Sequence, residues 1–345
     1  MRAVMYEEIG GPALWADIPE PDCPPDGAII SVAATGVCRS DWHAWRGHDP
    51  VELPHVPGHE FAGTVVAVGP DVTHYQVGDR VTAPFVNGCG ECDFCRTGQA
   101  QVCPNQTQPG FTHYGSFAER VVVRQADMNL VILPDELDFV TAASLGCRFA
   151  TAFHAVTAQG GLKPGEWLAV FGTGGVGLSV IMVAEALGAN VVAVDRSEQA
   201  LARAHDLGAE HTVLSDDPAA AIVELTGGGA HVTVDAVGSA GTAEAAVRSL
   251  RRQGRHVQVG LMLGPNAMAP LPWDITIARE LRVSGSHGMA ACDYPAMLNL
   301  IVAGRLNPTK LVGAVIPFSE LGEALMAMDQ PVLGHGGMTV ASVDA

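Results

Sequence analysis

The sequence predicts an α/β protein made of a doubly wound parallel sheet and a separate β-rich part, and three observations carry that expectation. The chain has 345 residues, more than one ordinary core organises, so two domains are expected. Its texture changes near Thr151, from short apolar runs separated by Gly and Pro to apolar strands alternating with Ala-rich helical segments. Within that alternation a glycine-rich turn joins a strand to a helix, and an acid closes the next strand.

Taken in order, "GAIISVAAT", "FAGTVVAVG" and "DRVTAPFV" read as strands bounded by turn residues. Beyond Thr151, "EWLAVFG", "NVVAVDR", "AEHTVLS", "HVTVDAVG", "RHVQVG" and "LRVSGS" are short apolar strands, with helical segments such as "VGLSVIMVAEALG" and "EQALARAHDLG" between them. Strands alternating with helices imply right-handed crossovers and a parallel sheet covered on both faces. The run "RSLRRQGRH" (Arg248 to His256) reads as a solvated helix end followed by a turn, and "RELRVSGSHG" gives a late strand able to form a sheet edge. Mixed texture returns from about Met289. The expected division is therefore 1–152 with 290–345 for the β-rich part and 153–289 for the parallel sheet, with no long linker between them.

Composition excludes several functions. Hydrophobic residues make up 48% and charged residues 16%, which fits a globular interior. A net charge of −18 repels phosphate backbones, so no nucleic-acid partner is expected. "MRAVMYEEI" carries two acids before any long apolar run, and no stretch of about 18 apolar residues suggests a membrane span. No membrane association and a cytoplasmic location are expected. There the eight cysteines are not naturally disulfides. Cys23 and Cys292 read as ordinary free thiols, and the other six sit in contexts that suggest metal.

"AVFGTGGVGLSV" supplies Gly172, Gly174 and Gly177, with Gly175 and Val176 between them. A strand precedes this pattern, a helix from about Val176 to Leu187 follows, and "NVVAVD" ends in Asp195, eighteen residues beyond Gly177. That context is the Rossmann dinucleotide fingerprint. Glycines permit the tight turn and let the backbone approach a pyrophosphate, and the helix N-terminus offers it unpaired N–H groups. Asp195 would accept hydrogen bonds from the ribose hydroxyls and repel a 2′-phosphate, which argues for NAD over NADP. The adjacent Arg196 either attracts such a phosphate or lies flat on the adenine.

Cys89, Cys92, Cys95 and Cys103 form C-x2-C-x2-C-x7-C on one Gly-rich loop. Four thiolates suit tetrahedral zinc with no position left for substrate, hence a structural site; an iron–sulfur cluster is the alternative. A second set is scattered: Cys38, Ser40, Asp41 and His43 in "GVCRSDWH", His59 and Glu60 in "VPGHEFAG", and Cys147 in "LGCRFAT". Two thiolates and one imidazole would leave a fourth coordination position open, as in a catalytic zinc site. Spacing alone does not select which residues bind.

These motifs together resemble the zinc-dependent medium-chain alcohol dehydrogenases. The similarity covers nearly the whole chain and includes "GVCRSDWH", "PGHEFAGTVVAVG", "VGDRV", the four-cysteine loop, "LGC" followed by Thr151, "GTGGVG" with Asp195, and "VDAVG". The resemblance implies a GroES-like catalytic domain over 1–152 and 290–345, a Rossmann NAD domain over 153–289, and two zinc ions per chain. It matches the catalytic zinc to Cys38, His59 and Cys147, the structural zinc to the loop cysteines, and the cofactor site to the glycine turn, Asp195, Arg196 and Thr151. It implies a proton path from Ser40 through the nicotinamide ribose to His43, whose plainer reading is an exposed strand-end histidine. Asp41 would support a ligand histidine. Glu60 is either a transient further ligand or a hydrogen-bonded structural carboxylate.

Trp42, Trp45 and Phe85 lie close in sequence to the metal motifs, and Trp42 and Phe85 are the expected pocket wall, which favours apolar or aromatic alcohols and carbonyls. Two other functions stay open: a polyol dehydrogenase of the same family, which usually has a carboxylate where Cys147 stands, and an NAD- and zinc-binding protein without turnover. The resemblance also implies a homodimer or homotetramer. The sequence departs from the family at Arg148, where a small residue is common, and in "GHGGMTV", where Met338 replaces a base that helps to hold the pyrophosphate.

Overall fold

The computed structural model describes residues 1–330 and 337–345. They divide into two compact units, one of 1–150, 288–303 and 312–345, the other of 151–287 and 304–311.

The first unit is β-rich. Its strands are Arg2–Met5 (β1), Leu14–Asp17 (β2), Ala28–Val37 (β3), Phe61–Val68 (β4), Arg80–Thr82 (β5), Arg120–Val123 (β6) and Val131–Ile132 (β7). β1 and β2 form an antiparallel pair. The ten-residue β3 organises the rest, pairing antiparallel with β4 over most of its length and with β6 near its start. Ile30, Val32, Phe61, Val65, Val81 and Val121 bury one face of this sheet. A fully buried side chain of this kind contributes about 1.5–3 kcal/mol. A second apolar cluster gathers Tyr6, Trp45, Val56, Phe117 and Leu321.

In the second unit Trp167–Phe171 (β8), Asn190–Val194 (β9), His211–Val213 (β10), Ala230–Asp235 (β11), Leu250–Gln258 (β12) and Arg282–Gly285 (β13) form a parallel sheet in the order β10-β9-β8-β11-β12-β13. The order reverses direction beside β8, so the turn that leaves β8 opens at the sheet's switch point, where such folds bind ligands. The helix Gly175–Ala186 is apolar almost all round and buries Leu178, Val180, Ile181 and Val183. The helix Glu198–Asp206 buries only Leu201 and Ala204 and starts at Ser197, whose hydroxyl accepts the Ala200 N–H at 3.3 Å.

Two strands complete the first unit: Val312–Pro317 (β14), parallel to Met338–Ser342 (β15), which pairs antiparallel with β3. Met338 is fully buried in β15, and the preceding part of "GHGGMTV", residues 334–336, lies outside the described residues.

One expectation is corrected. "RSLRRQGRH" is not a helix end followed by a turn. The helix Ala240–Arg248 passes almost directly into β12, which takes Arg251 to His256 into the sheet, with Gln253 at φ +60° and a register shift against β11. Sheet pairing overrides the polar pattern because the basic groups find partners: Arg251 Nε donates to the Gly229 carbonyl at 3.0 Å, Arg248 pairs with Glu244, and Arg255 pairs with Glu166. Among the described residues, no helix is long and apolar enough to cross a membrane.

Candidate functional site

Cys38 follows the last residue of β3 and is the N-cap of the helix Arg39–Trp45. Asp41, in the first turn of that helix, is fully buried. Its Oδ2 accepts the Cys38 N–H at 3.1 Å, and its Oδ1 accepts the Gly58 N–H at 3.0 Å and lies 2.8 Å from His59 Nδ1. One carboxylate thus ties the end of β3 to the loop before β4. A carboxylate only accepts, so the proton sits on Nδ1 and the lone pair of His59 on Nε2. That Nε2 is buried with no hydrogen-bond partner.

Cys147 arrives from a π-helical turn, Leu145–Phe149, the kind of helix distortion frequent at functional sites. The ligand atoms of Cys38, His59 and Cys147 all lie within 4.8 Å of one another. Hydrogen bonding from Cys147, aided by the Arg148 charge, holds the Cys38 thiol well below its ordinary pKa despite burial, while the same bond and burial push Cys147 up. Two sulfurs and a buried imidazole nitrogen with no hydrogen-bond partner form a donor set that fits a soft divalent cation.

Glu60 is fully buried and is not part of that set. Its Oε1 accepts Nε of Arg148 at 3.1 Å and the Arg148 backbone N–H at 3.0 Å, and its Oε2 takes Nη2. The geometry is that of a hydrogen-bonded structural carboxylate, and it gives Arg148 a partner that the sequence left unassigned.

Ser40 and His43 stand three residues apart on the helix Arg39–Trp45, hence on neighbouring positions of one face. His43 is helical rather than at a strand end, because the capping arrangement at Cys38 starts a helix there. Ser40 Oγ is 3.9 Å from Cys38 Sγ. His43 Nδ1 is 3.0 Å from Nδ1 of the exposed His48, a neighbour that sequence reasoning missed. Burial, then the charges of His48 and Arg39, lower the His43 pKa from 6.5; Cys38 and Asp49 oppose them.

Of the expected aromatic wall, Phe85 meets the His59 ring edge-on at 6.1 Å between centroids, and Phe111, which no spacing marked, does so at 5.2 Å. Trp45 is core, its indole N–H donating to the Gly11 carbonyl at 2.7 Å. Trp42 is half-buried; its N–H donates to Asp329 at 2.7 Å and the Arg39 guanidinium lies over its ring.

The four loop sulfurs, Cys89, Cys92, Cys95 and Cys103, also lie within 4.8 Å of one another. Cys92 and Cys103 are 3.7 Å apart, far beyond a disulfide bond. Backbone N–H groups of Cys89, Cys95 and Asn105 point at sulfurs, at 3.4, 3.5 and 3.3 Å. Such donors favour thiolates, and those of Glu91 and Cys92 bring Cys89 down to about 6. Burial pushes Cys95 up to about 12, a preference that a bound cation would reverse. Asn129 fastens the loop: its Oδ1 accepts the Gly88 N–H at 2.8 Å and its Nδ2 donates to the Gly88 carbonyl at 2.9 Å.

In the second unit each glycine of the turn after β8 has its own reason. Gly172 has φ +88°, and a Cβ at Gly177 would collide with the Gly172 carbonyl. At Gly174, which caps the helix holding Gly175 and Val176, φ is −76° and a Cβ would meet no protein atom within 4 Å. Nothing in the chain requires glycine there, as expected of a position that a bound group approaches closely. Asp195 closes β9: its Oδ2 accepts the Thr173 N–H and hydroxyl, both at 2.8 Å, and its Oδ1 the N–H groups of Arg196 and Ser197 at 2.7 and 3.1 Å. The Arg196 residue is exposed, and Thr151 is buried in the helix Ala150–His154.

Residues 24–135 match the alcohol dehydrogenase GroES-like domain, and residues 175–303 match the zinc-binding dehydrogenase domain. The chain is 35% identical to an alcohol dehydrogenase of Geobacillus stearothermophilus over 349 aligned residues, covering 100% of both. It is 32% identical to a sorbitol dehydrogenase of Halalkalibacterium halodurans, covering 95% of this chain and 96% of that one. Among solved structures, an alcohol dehydrogenase from Thermus sp. ATN1 superposes with a TM-score of 0.91 at 32% identity, over 99% of each chain.

Proposed function

The chain belongs to the zinc-dependent medium-chain alcohol dehydrogenases, and from that premise we propose that it transfers a hydride between a small apolar or aromatic alcohol and NAD, with one catalytic and one structural zinc per chain. The orphaned, buried Nε2 of His59 beside two sulfurs carries this reading. When bound, zinc supplies the Lewis acidity that lets an alcohol lose its proton near neutrality, and the nicotinamide supplies the hydride acceptor. Cys38, His59 and Cys147 hold the catalytic ion, and Asp41 fixes the His59 tautomer. The loop cysteines hold the structural ion. In this reading 1–152 with 290–345 is the catalytic domain, 153–289 binds the cofactor through Gly172 to Gly177, Asp195 and Arg196, and Thr151 is a further cofactor residue.

Phe85 and Phe111 against the His59 ring support apolar substrates. Cys147 in the third ligand position speaks against the polyol reading, although a sorbitol dehydrogenase stands among the relatives. A screen of primary, secondary, aromatic and polyol alcohols with both nicotinamide cofactors tests the proposal. Turnover confined to polyols would favour the rival, and none on any class would favour a binding protein. The acidic chain is read as cytoplasmic. β13 lies at a sheet edge, with Trp273 and Ile277 exposed nearby, which supports a homodimer or homotetramer; sedimentation as a stable monomer would contradict it.

Asp195 underlies the choice of NAD. Asp195→Gly is expected to raise the NADP-to-NAD ratio of kcat/KM, because the carboxylate that would face a 2′-phosphate is gone. A native protein that already prefers NADP would assign the choice to Arg196 instead.

Ser40 and His43 are placed to move the substrate proton outward. With its pKa below 6.5, His43 is neutral at pH 7 and able to accept a proton. Alcohol oxidation should therefore fall as pH drops through that lowered pKa. His43→Ala should remove this inflection and slow oxidation by less than the roughly 10²–10⁴-fold of a direct acid–base group, with partial rescue by buffer bases. An unchanged rate and pH profile would take His43 off the path.

A further inference from the structure

The buried pair of Glu60 and Arg148 adjoins the candidate metal site on both sides. Glu60 follows the ligand His59, and Arg148 follows the ligand Cys147. The carboxylate is fully buried and Arg148 is only 9% exposed. Both oxygens are engaged, Oε1 by two N–H groups and Oε2 by Nη2. The surroundings are shaped to fit: a Cβ at Gly36, on β3, would collide with Oε2 of Glu60 and lie 3.1 Å from Nη2 of Arg148.

A carboxylate oxygen is an ordinary zinc ligand, and a fourth protein ligand would close a tetrahedral site to substrate. A buried carboxylate deprived of its cation is costly and is drawn to any cation in reach. We infer that Arg148 is a positioning residue: by occupying both oxygens of Glu60 it holds that carboxylate off the metal and keeps the fourth coordination position open. The inference rests on Cys38, His59 and Cys147 being the ligands. A pair that only fastened two loops together would, on removal, lower stability and leave the open position as it was.

The test is cobalt(II) exchanged into the full-length protein, with the visible ligand-field spectrum followed as imidazole is added. A closed four-sulfur site has no free position and does not respond. The native spectrum is expected to shift with imidazole. In Arg148→Gln the shift should be lost, or need at least about tenfold more imidazole, the scale on which outer partners of metal ligands act. Glu60→Gln/Arg148→Gln should respond as the native protein does, since an amide is a poor ligand and needs no counter-ion. Arg148→Lys, with one ammonium for two oxygens, should lie between. Should Arg148→Gln fail to fold, the double variant and Arg148→Lys decide. A native-like response in Arg148→Gln or Arg148→Lys, or a silent double variant, overturns the role given to Arg148. A native cobalt protein that ignores imidazole overturns the ligand set, and this inference with it.

Discussion

Cys147→Ala is expected to abolish turnover almost completely, and the protein should lose its catalytic metal with it. The variant leaves Cys38 and His59 as the only donors of a set whose three atoms now lie within 4.8 Å of one another. Loss even of an outer partner of a metal ligand costs about 10–100-fold in affinity or activity, so loss of a ligand should exceed that range. The fold should survive, because the π-helical turn that carries Cys147 is anchored by the buried Leu145, Phe149 and Arg148 on either side. Metal content and NAD-linked alcohol oxidation, measured on the same preparation, check this. Retained turnover at native zinc content would remove Cys147 from the ligand set.

The second large effect is on stability. Cys103 is almost fully buried, lies 3.7 Å from Cys92, and receives the N–H groups of Cys89 and Asn105. A structural zinc contributes about 10–16 kcal/mol in small domains, so one ligand of four corresponds to about 3 kcal/mol. For a unit of this size that lowers the unfolding midpoint by roughly 6–12 °C. Cys103→Ser should therefore shift the thermal midpoint downward by about that much, while turnover well below the midpoint stays near native. An unchanged midpoint would show that the loop holds no metal that matters for folding.

These two sites differ in how far the sequence reveals them. The four loop cysteines fall within one short stretch, so their spacing already brings the sulfurs together. The glycine turn is legible for a similar reason, because strand, turn, helix and acid are consecutive along the chain. The Rossmann strand alternation is equally local, and the parallel order of β8 to β13 follows from it. Cys38, His59 and Cys147 are a different case. Tertiary folding alone brings them together, through β3, the loop before β4 and a π-helical turn, so periodicity could not select them and only the family pattern did. Asp41 shows what is then hidden: the family pattern marks it as support for a ligand histidine, but only the fold shows that the same carboxylate also accepts the Cys38 and Gly58 N–H groups. The Glu60–Arg148 pair spans 88 residues, and nothing in either neighbourhood marks the other. Phe111, far in sequence from His59, escaped for the same reason. The basic run into β12 was misread because local polarity suggested a turn, while partners on the preceding helix and just before β8 and β11 accommodate Arg248, Arg255 and Arg251.

Zinc content followed together with NAD reduction, as a chelator strips the protein and zinc is returned, bears most directly on a dehydrogenase with two metal sites of different kinds. Fully loaded protein should hold two zinc ions per chain. Turnover should vanish with the first ion released and return when it is restored, while the second ion should leave only as the protein unfolds. One zinc per loaded chain, or turnover that continues after the metal is gone, would contradict the two-site dehydrogenase.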